Sequence, residues 1–359
     1  MDRRWGFTWE GVNVKNDMAW KSLSDVMNAF IRTEVLTAAC ELKLFDHLQK
    51  WPGSTIAEVA RHFHATPRGI RILMLGCQQA GLVIELRSGQ YANTAVATRF
   101  LITDSPECML NFVAFVRGVQ QRSCHSFLKS LISGEPVGLL ELGGRSGETL
   151  YELISRGGDA ERSFHAAMNE YSRIAEPPPI SELDKRRHLL DIGGGVGGVA
   201  DKLCHVHPLL RCTILELPTI ASRVVERIRM AEISNRIDVV PCDVLNAPWP
   251  GDCDAILFSH FLEIFDAKVV KELYKKASNY LHDDGIVVTW TLTPEADGEI
   301  TLQAVKSSVY FLTTAGGNGM TYSIEEHERW IREAGLDLIR IETQASTSHS
   351  MILARKNAR

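Results

Sequence analysis

The chain has 359 residues, of which 45% are hydrophobic and 23% are charged, and this composition excludes a disordered chain, a collagen-like repeat and a disulfide-rich miniprotein. With 39 Lys and Arg against 44 Asp and Glu, the formal net charge is −5, which disfavours general binding to nucleic acid or to an anionic membrane surface. We therefore expect two or three globular domains, with neither nucleic acid nor a membrane as a partner.

The distribution of cysteines and the lack of long apolar runs indicate the cellular compartment in which we expect the protein. The eight cysteines are scattered without a CxxC pair, as expected of mostly buried thiols in a reducing environment. The first 17 residues lack the apolar core of a signal peptide, and no stretch approaches the roughly 18 uninterrupted apolar residues of a membrane span. We expect a soluble, cytoplasmic protein.

The first hundred residues have the predicted element order of a winged helix: helix, turn, helix and a two-stranded wing. Glu58 stands at capping-box distance from the start of one of these helices, which supports its predicted N-terminus. The predicted elements are a loose arm (1–16), a helical stretch (17–49) whose last part forms a short second helix (42–48), the helix IAEVARHF capped by Ser54 or Thr55, a helix from Thr66 to Gln79, and two short strands, LVIEL and QYANT.

A winged helix would suggest a DNA-binding module, but the composition of its second helix argues against that interpretation. A recognition helix needs a polar face for base edges and phosphates. The segment PRGIRILMLGCQQAG is instead surrounded by apolar side chains and is predicted to be buried, for which a dimer interface is one possibility: Ile70, Ile72, Leu73, Met74 and Leu75.

The rest of the chain changes character near residue 187. Residues 101–182 are predicted to form several helices with Gly-rich connections, and the run from Pro177 to Pro179 ends the last of them. Beyond Arg187, apolar strands alternate with amphipathic helices, and DLIRIETQ and HSMILARK close the chain as a hairpin pair. Such alternation predicts an α/β domain with a mostly parallel sheet that is covered on both faces.

The segment LLDIGGGVGGVA, residues 189–200, carries the strongest local signal. Glycines let a backbone turn tightly and approach a ligand closely, and the following helix presents its N-terminus to that ligand. Two further acidic residues follow later strands, in ILELP and in VVPCDV, and a carboxylate about 20 residues beyond the glycines can accept both hydroxyls of a ribose. The residues concerned are Asp191, Gly193, Gly195, Gly197, Glu216 and Asp243.

The D-x-G-x-G-x-G pattern resembles motif I of class I S-adenosylmethionine-dependent methyltransferases. Over nearly its whole length, the chain resembles the plant and bacterial small-molecule O-methyltransferases, on LLDIGGGVGG, LELP, CDAILFSHFLEIFD, LHDDGIVV and GGNGMTYSIEEHERWIREAGL. The resemblance implies a winged-helix-like dimerisation domain (1–100), a helical connector lining the substrate pocket (101–182) and a Rossmann-like domain that binds S-adenosylmethionine (183–359). It also implies an intertwined homodimer and a small-molecule substrate.

The resemblance further implies roles for particular residues. In the family, a methionine of the last connector helix covers the cofactor, and the adenine and ribose lie against the ends of the second and third strands. The implied cofactor-binding residues are Asp191, Gly193, Gly195, Gly197, Glu216, Leu217, Asp243, Val244, Ser259, Met168 and Tyr171, and the implied substrate-pocket residues are Phe127, Arg173, Trp290 and Tyr310.

The chain departs from the family pattern at its acid and base positions. The family signature H-V-L-H-D-W reads H-F-L-E-I-F here, so that Glu263 stands at the position of the general base and His260 at the earlier histidine. The acidic residue expected after the next strand is replaced by Thr291, and the one expected in the GGKERT-like stretch by Gly319. We therefore take Glu263 and His260 as the candidate catalytic residues.

These replacements bear on the acceptor. A phenol, with a pKa near 10, needs a positioned base as the methyl group arrives, and a glutamate is a weak base unless an apolar pocket disfavours its charge. Methyl transfer depends strongly on alignment of nucleophile, methyl group and sulfur, so a weak base suffices for an acceptor that is already nucleophilic. An enol, an amine or an electron-rich ring carbon, giving O-, N- or C-methylation, is favoured over a simple phenol.

Other interpretations remain open from the sequence. A diverted member of the fold could cyclise S-adenosylmethionine to azetidine-2-carboxylate, with its sulfonium held by the aromatic faces of Tyr171, Trp290 and Tyr310, or could act as a pericyclase. A winged-helix regulator that senses the cofactor is a more distant alternative. A metal held by His260, Glu263 and His125, or by the Cys204-His205-x-His207 cluster, is a weaker idea, and we predict no metal site.

Overall fold

The computed structural model describes residues 18–229, 234–296, 298–316 and 318–356. The predicted arm (1–16) and the predicted helix end beyond Arg229 lie outside these ranges. The chain divides into two compact units, Met1–Val113 and Ala114–Arg359. Most of the segment predicted as a connector therefore belongs to the second unit.

The first unit is mainly helical, and its predicted caps are confirmed. The side chain of Thr55 accepts a hydrogen bond from the backbone of Glu58, whose carboxylate accepts one from the backbone N of Thr55 (2.8 Å). Lys43 has a left-handed backbone conformation that separates the first two helices. The elements are α1 (Met18–Glu41), α2 (Leu44–Lys50), β1 (Ser54–Thr55), α3 (Ile56–His62), α4 (Pro67–Gln79), β2 (Val83–Arg87), β3 (Gln90–Asn93) and α5 (Ala95–Phe100), and β1 adds to the predicted wing as a third strand in the order β1-β3-β2.

Helix α1 leaves a broad apolar surface exposed within this unit. Val26 is 74% exposed and Phe30 57%. Helix α4 buries Ile70 and Met74 but exposes Ile72 and Leu75, so the prediction that this helix is buried holds for only one of its faces in a single chain. Apolar side chains exposed over several turns mark an interaction surface.

The second unit begins with several short helices and turns, within the segment predicted to be a helical connector. Val116–Gln121 in this segment, and Phe311–Ala315 after the later helix α14, have the wide π-helical turn that is common at functional sites. The α-helices up to the sheet are α6 (Leu110–Phe115, which spans the division), α7 (Arg122–Cys124), α8 (Phe127–Ser133), α9 (Leu150–Ser155) and α10 (Asp159–Ile174).

The sheet of the second unit has seven strands in the order β11-β12-β8-β7-β4-β5-β6, and the predicted α/β alternation is confirmed. β12 lies antiparallel between β8 and β11, whereas the strands from β8 to β6 are parallel. The elements are β4 (His188–Ile192), α11 (Gly198–Val206), β5 (Arg211–Glu216), α12 (Pro218–Arg229), β6 (Ile237–Pro241), β7 (Cys253–Ser259), α13 (Ala267–Tyr280), β8 (Leu281–Leu292), β9 (Glu295–Ala296), β10 (Glu299–Ile300), α14 (Leu302–Tyr310), α15 (Ile324–Glu333), β11 (Leu336–Gln344) and β12 (His349–Lys356).

Side chains that alternate along these strands fill a separate apolar core on each face of the sheet. On β4, for example, Leu190 belongs to one core and Leu189 to the other. The strand order reverses direction at β4, between β5 and β7, and ligands of such sheets bind outside the carboxyl ends of the strands at this point. In the part of the chain that the structure describes, no helix combines the length and apolar character needed to span a bilayer.

Candidate active site

The loop after β4 depends on glycine at three positions. Gly193, Gly195 and Gly197 all have positive φ angles, of 66°, 53° and 78°. A side chain at Gly193 would also place its Cβ 2.3 Å from the ring of Phe261. Gly197 precedes α11, so the loop leads directly to a helix N-terminus at the carboxyl edge of the sheet.

Glu216, at the end of β5, is fixed by this loop. Its Oε2 accepts a hydrogen bond from the backbone N of Gly195 (2.9 Å) and its Oε1 accepts one from the backbone N of Leu217 (2.8 Å). Burial raises the pKa of Glu216, and the two hydrogen bonds act in the opposite direction. The carboxylate predicted to bind the ribose is thus oriented by backbone groups.

Asp191 is buried in the same edge, and neither oxygen of its carboxylate has a hydrogen-bond partner among the described residues. Burial, and secondarily the charge of Glu216, raises the pKa of Asp191 to about 7. A Cβ at Gly194 would lie 2.4 Å from Asp191 Oδ2, so that only glycine allows this close approach. An unpartnered buried carboxylate suits a ligand that brings a cationic group, and the amino group of S-adenosylmethionine is one.

Asp243 follows β6, and its side chain holds its own turn. Its carboxylate accepts hydrogen bonds from the backbone N of Leu245 (3.1 Å) and from Asn246 Nδ2 (2.9 Å), and the Asn246 amide is the main cause of the lowered pKa of Asp243. The adjacent Val244 is buried. The adenine contact implied for Asp243 remains a prediction, because the structure shows this carboxylate in a capping role.

The other implied cofactor residues lie along the same edge or on α10. Leu217 is an exposed apolar residue directly after Glu216, and Ser259 is the last residue of β7. Met168 and Tyr171 are half-buried on α10. These positions are compatible with the implied roles, which remain predictions.

Glu263, the candidate base, is buried, and each of its carboxylate oxygens faces a polar side chain. Its Oε2 accepts a hydrogen bond from Thr291 Oγ1 (2.9 Å), and its Oε1 lies 3.4 Å from His260 Nδ1. A Cβ at Gly319 would lie 2.2 Å from the backbone oxygen of Glu263. Thr291 therefore contacts the Glu263 carboxylate, whereas Gly319 packs against the backbone of Glu263.

His260 has a strained, left-handed backbone conformation with φ 51°. Its backbone N donates to the carbonyl of Trp290 (2.9 Å), and its ring packs edge-on against His349, with centroids 4.8 Å apart. His260 Nε2 is buried and has no hydrogen-bond partner among the described residues. Burial, and secondarily His260, lowers the pKa of His349 to about 2, so that the His349 ring is neutral.

Trp290 is a core residue, which corrects its predicted place in the substrate pocket. The side chain is fully buried, its Nε1 donates to the carbonyl of Ala175 (2.8 Å), and its ring stacks on His349 at 5.1 Å. β8 points alternate side chains to opposite faces, so Thr291 faces Glu263 while Trp290 faces the other core. The alternation of side chains along a strand is a sequence signal that would have predicted opposite faces of the sheet for Thr291 and Trp290.

Phe127 and Arg173, which are also predicted to line the substrate pocket, are both exposed in the single chain. Phe127 is 40% exposed on α8, beside the exposed Leu128. Arg173 is exposed on α10 and lies near enough to Lys202 of α11 to contribute to that residue's lowered pKa, of which burial is the main cause. Neither position tests the predicted role in the pocket wall, which stays a prediction.

Tyr310, the fourth predicted pocket residue, belongs to an aromatic group that the sequence did not reveal. Its ring centroid lies 5.9 Å from that of Phe115, which lies 5.8 Å from Phe164, and Phe164 lies 6.4 Å from Tyr151. Burial raises the pKa of the Tyr151 phenol, and the charges of Glu263 and Glu216 add to this effect.

Two of the histidines weighed as metal ligands contact different groups. His207 Nδ1 lies 2.8 Å from Asp184 Oδ1, and His205 Nδ1 lies 3.0 Å from the carbonyl of Asp201. Among the residues that the structure describes, no group of three or more His, Cys, Asp or Glu side chains has an arrangement that could hold a metal ion.

Two known protein families match the chain, each over a different part of its length. Residues 24–103 match an O-methyltransferase dimerisation domain, and residues 141–337 match an O-methyltransferase domain. The second match alone covers more than half of the chain.

Characterised relatives match over most of their length. The chain is 30% identical to the L-tyrosine C(3)-methyltransferase of Streptomyces lavendulae, over 90% of this chain and 89% of the relative. It is 27% identical to the 3-hydroxy-5-methyl-1-naphthoate 3-O-methyltransferase of Streptomyces sahachiroi, over 92% and 94%.

Solved structures confirm the fold. Human N-acetylserotonin methyltransferase in complex with SAM superposes with a TM-score of 0.80 at 22% identity, covering 96% of this chain and 99% of that one. The S-adenosylmethionine-dependent methyltransferase SibL in its apo form also gives a TM-score of 0.80, at 24% identity, covering 94% and 99%.

The unpartnered carboxylate of Asp191 predicts pH-dependent cofactor affinity. Its pKa of about 7 is raised, so the carboxyl is mostly protonated at pH 6 and must lose that proton to hold a cationic amino group. The affinity for S-adenosylmethionine should therefore fall by roughly tenfold from pH 7.5 to pH 6, with proton release on binding. Isothermal titration calorimetry in buffers of different ionisation enthalpy measures both quantities.

Asp191→Asn should weaken binding by tenfold or more, because it removes charge-assisted hydrogen bonds, and should abolish the pH dependence. Asp238→Asn, on the exposed side of β6, is the matched control and should retain it. An equal pH slope in the wild-type protein and in Asp191→Asn would refute the assignment.

Proposed function

Because the chain belongs to the S-adenosylmethionine-dependent O-methyltransferase family with an N-terminal dimerisation domain, we propose that it methylates an electron-rich small molecule, at oxygen or at a ring carbon, in preference to a simple phenol. Methyl transfer to a small molecule is the activity of the family. The choice of acceptor rests on the surroundings of Glu263. The two Streptomyces relatives, one named for C-methylation and one for O-methylation, support both kinds of product.

The observation that carries the proposal is the buried carboxylate of Glu263. Thr291 binds one of its oxygens, and the other faces His260 at 3.4 Å. In place of a neutral imidazole at the base position, the site offers a carboxylate with an imidazole beside it. A carboxylate can accept a proton that becomes strongly acidic as the bond to methyl forms, as the proton on a methylated ring carbon does.

S-adenosylmethionine supplies, when bound, an electrophilic methyl group on a sulfonium. Asp191 and Glu216 hold its amino group and ribose in our assignment, and the glycine loop allows the backbone to approach it. Glu263 Oε1 accepts the proton that the acceptor releases, while Thr291 keeps the carboxylate oriented. His260 Nδ1 lies within reach to stabilise the charge of Glu263 or to receive its proton.

The structure gives less support to the alternative hypothesis, in which a diverted member of the fold cyclises S-adenosylmethionine. Cyclisation of S-adenosylmethionine would require aromatic faces around the sulfonium, and Trp290, one of three considered, is in the core. Tyr171 and Tyr310 remain at positions that could contact a ligand. Cyclisation is therefore one of the outcomes that the product analysis described next distinguishes.

Product analysis tests the function directly. The enzyme is incubated with S-adenosylmethionine, alone and with a panel of phenols, enols, arylamines and aromatic amino acids, followed by mass spectrometry. We expect S-adenosylhomocysteine only when an acceptor is present, together with an acceptor that is heavier by one methylene. Methylthioadenosine in the absence of an acceptor would overturn methyl transfer in favour of cyclisation.

Glu263→Gln tests the proposed base. This variant keeps the size of the side chain but removes its proton affinity, so the turnover number should fall by about 10²-fold or more. The affinity for S-adenosylmethionine, measured by calorimetry, should stay unchanged. Glu272→Gln on α13 is the control, and wild-type kinetics in Glu263→Gln would exclude Glu263 as the base. A raised KM with little loss of turnover would assign Glu263 to substrate binding instead.

We also propose a homodimer formed through the first unit, which matches a dimerisation domain and exposes the apolar surface of α1. A stable dimer of this kind buries above roughly 2,000 Å². Light scattering at micromolar concentration should give twice the 40.0 kDa chain mass. Val26→Glu with Phe30→Glu should give monomers, whereas Val206→Glu, at an exposed apolar residue of the second unit, should not. A wild-type monomer would contradict the proposal.

A further inference from the structure

Helix α12 carries two arginines, Arg223 and Arg227, four residues apart, so that both lie on the same exposed face of the helix. Its other face packs Ile220, Val224 and Ile228 into the core beside the sheet. Neither arginine belongs to the glycine loop or to the carboxylates described above. Each of them nevertheless binds a segment that is expected to contact the cofactor.

Arg227 supports the glycine loop from α12. Its Nη1 donates a hydrogen bond to the backbone oxygen of Val196, the residue between Gly195 and Gly197. The next residue of α12, Ile228, packs against the same loop, because a Cβ at Gly197 would lie 2.9 Å from its Cδ1. Helix α12 therefore holds the loop with one polar and one apolar contact.

The loop is also bound by β5. The backbone N of Gly193 donates a hydrogen bond to the carbonyl of Leu215 (2.8 Å), and the backbone N of Gly195 donates one to Glu216 (2.9 Å). Glycine has more backbone conformations available than any other residue, so a loop of this composition keeps one conformation only where contacts fix it. The contact with Arg227 adds a charged donor to those from β5.

Arg223, one turn earlier on α12, binds α10. Its guanidinium forms an ion pair with the carboxylate of Glu161, in the first turn of α10, and the Glu161 side chain is only 7% exposed. His165 Nε2 also lies 3.7 Å from Glu161 Oε1. Burial lowers the pKa of His165, so that this ring is neutral at neutral pH and Arg223 supplies the charge that compensates Glu161.

The ion pair bridges two helices that are not closely packed at this point. An open cavity of about 510 Å³ lies beside the pair and is lined by residues of both helices. Because Glu161 is buried, removing its partner would leave an uncompensated charge. Such a charge favours a movement of α10 away from α12, which brings the carboxylate into contact with water.

The other end of α10 is bound to different elements. The carboxylate of Glu176, just after α10, forms an ion pair with Lys202 of α11, and the indole of Trp290 donates to the carbonyl of Ala175 (2.8 Å). Helix α11 begins directly after the glycine loop, and α12 begins two residues after Glu216. Helix α10 thus joins the two helices that follow the predicted cofactor-binding segments.

We propose that Arg223 and Arg227 are positioning residues for S-adenosylmethionine. Arg227 holds the glycine loop in its binding conformation, and Arg223 holds α10, with Met168, over the bound cofactor. This inference rests on the proposed function, because the cofactor site is the one assigned there. Neither arginine has to touch the cofactor, since each acts through the segment that it binds.

Binding of S-adenosylhomocysteine tests the proposal without a methyl acceptor. In Arg227→Met, the dissociation constant measured by calorimetry should rise about tenfold, because the loop loses a charge-assisted hydrogen bond, whereas Arg227→Lys should stay within about threefold of the wild-type value. In Arg223→Met, radiolabelled S-adenosylhomocysteine should be released about tenfold faster, because unpaired Glu161 favours the movement of α10. Exchange of the two charges, in Glu161→Lys with Arg223→Glu, should slow the release again.

Arg229→Met, at the exposed last residue of α12, is the matched control and should bind and release the ligand as the wild-type protein does. Thermal unfolding of the ligand-free proteins checks that each variant is folded. Wild-type affinity in Arg227→Met, wild-type release in Arg223→Met, or failure of either rescue refutes the proposal. Such a result leaves methyl transfer intact, because the product analysis with S-adenosylmethionine decides that separately.

Discussion

The carboxyl edge of the sheet is organised by the cost of burying negative charge. Asp191 has no hydrogen-bond partner among the described residues, and the charge of Glu216 adds to the rise in its pKa. Two carboxylates are stable at this edge only if the backbone supplies donors, as Gly195 and Leu217 do for Glu216, or if a ligand does. The positive φ angles of the loop follow from this requirement, because they turn the chain tightly beside Asp191. The binding of a cofactor and the conformation of the loop thus both depend on the cost of burying the charges of Asp191 and Glu216.

The fold was predictable because its signals are local. The capping box of Thr55 and Glu58, the end of α4 and the alternation of strands and helices after Arg187 are all set by residues close in sequence. The glycine loop was predictable for the same reason, since positive φ angles favour glycine. The extra strand β1 has only two residues, too few to produce a periodic pattern.

The candidate site was predictable only in part, because its acceptor side depends on contacts between distant segments. The sequence shows Glu263, Thr291 and Gly319 as separate positions, and only the fold places Thr291 beside the Glu263 carboxylate and Gly319 against the Glu263 backbone. Trp290 is an aromatic residue beside Thr291 in sequence, but alternation along β8 directs its side chain into the other core. On the cofactor side, the spacing of Arg223 and Arg227 is visible in the sequence, but their contacts with Glu161 and Val196 are not.

The close packing of Gly319 limits how this site can change by mutation. A Cβ at residue 319 would lie 2.2 Å from the Glu263 carbonyl oxygen and 2.6 Å from the backbone of Ile264, neither of which is a flexible side-chain end. Any substitution at 319 therefore has to be preceded or accompanied by a shift of the turn that carries Glu263. The two segments are therefore expected to be epistatic: a side chain at residue 319 is tolerated only together with a change in the backbone that carries Glu263 and Ile264.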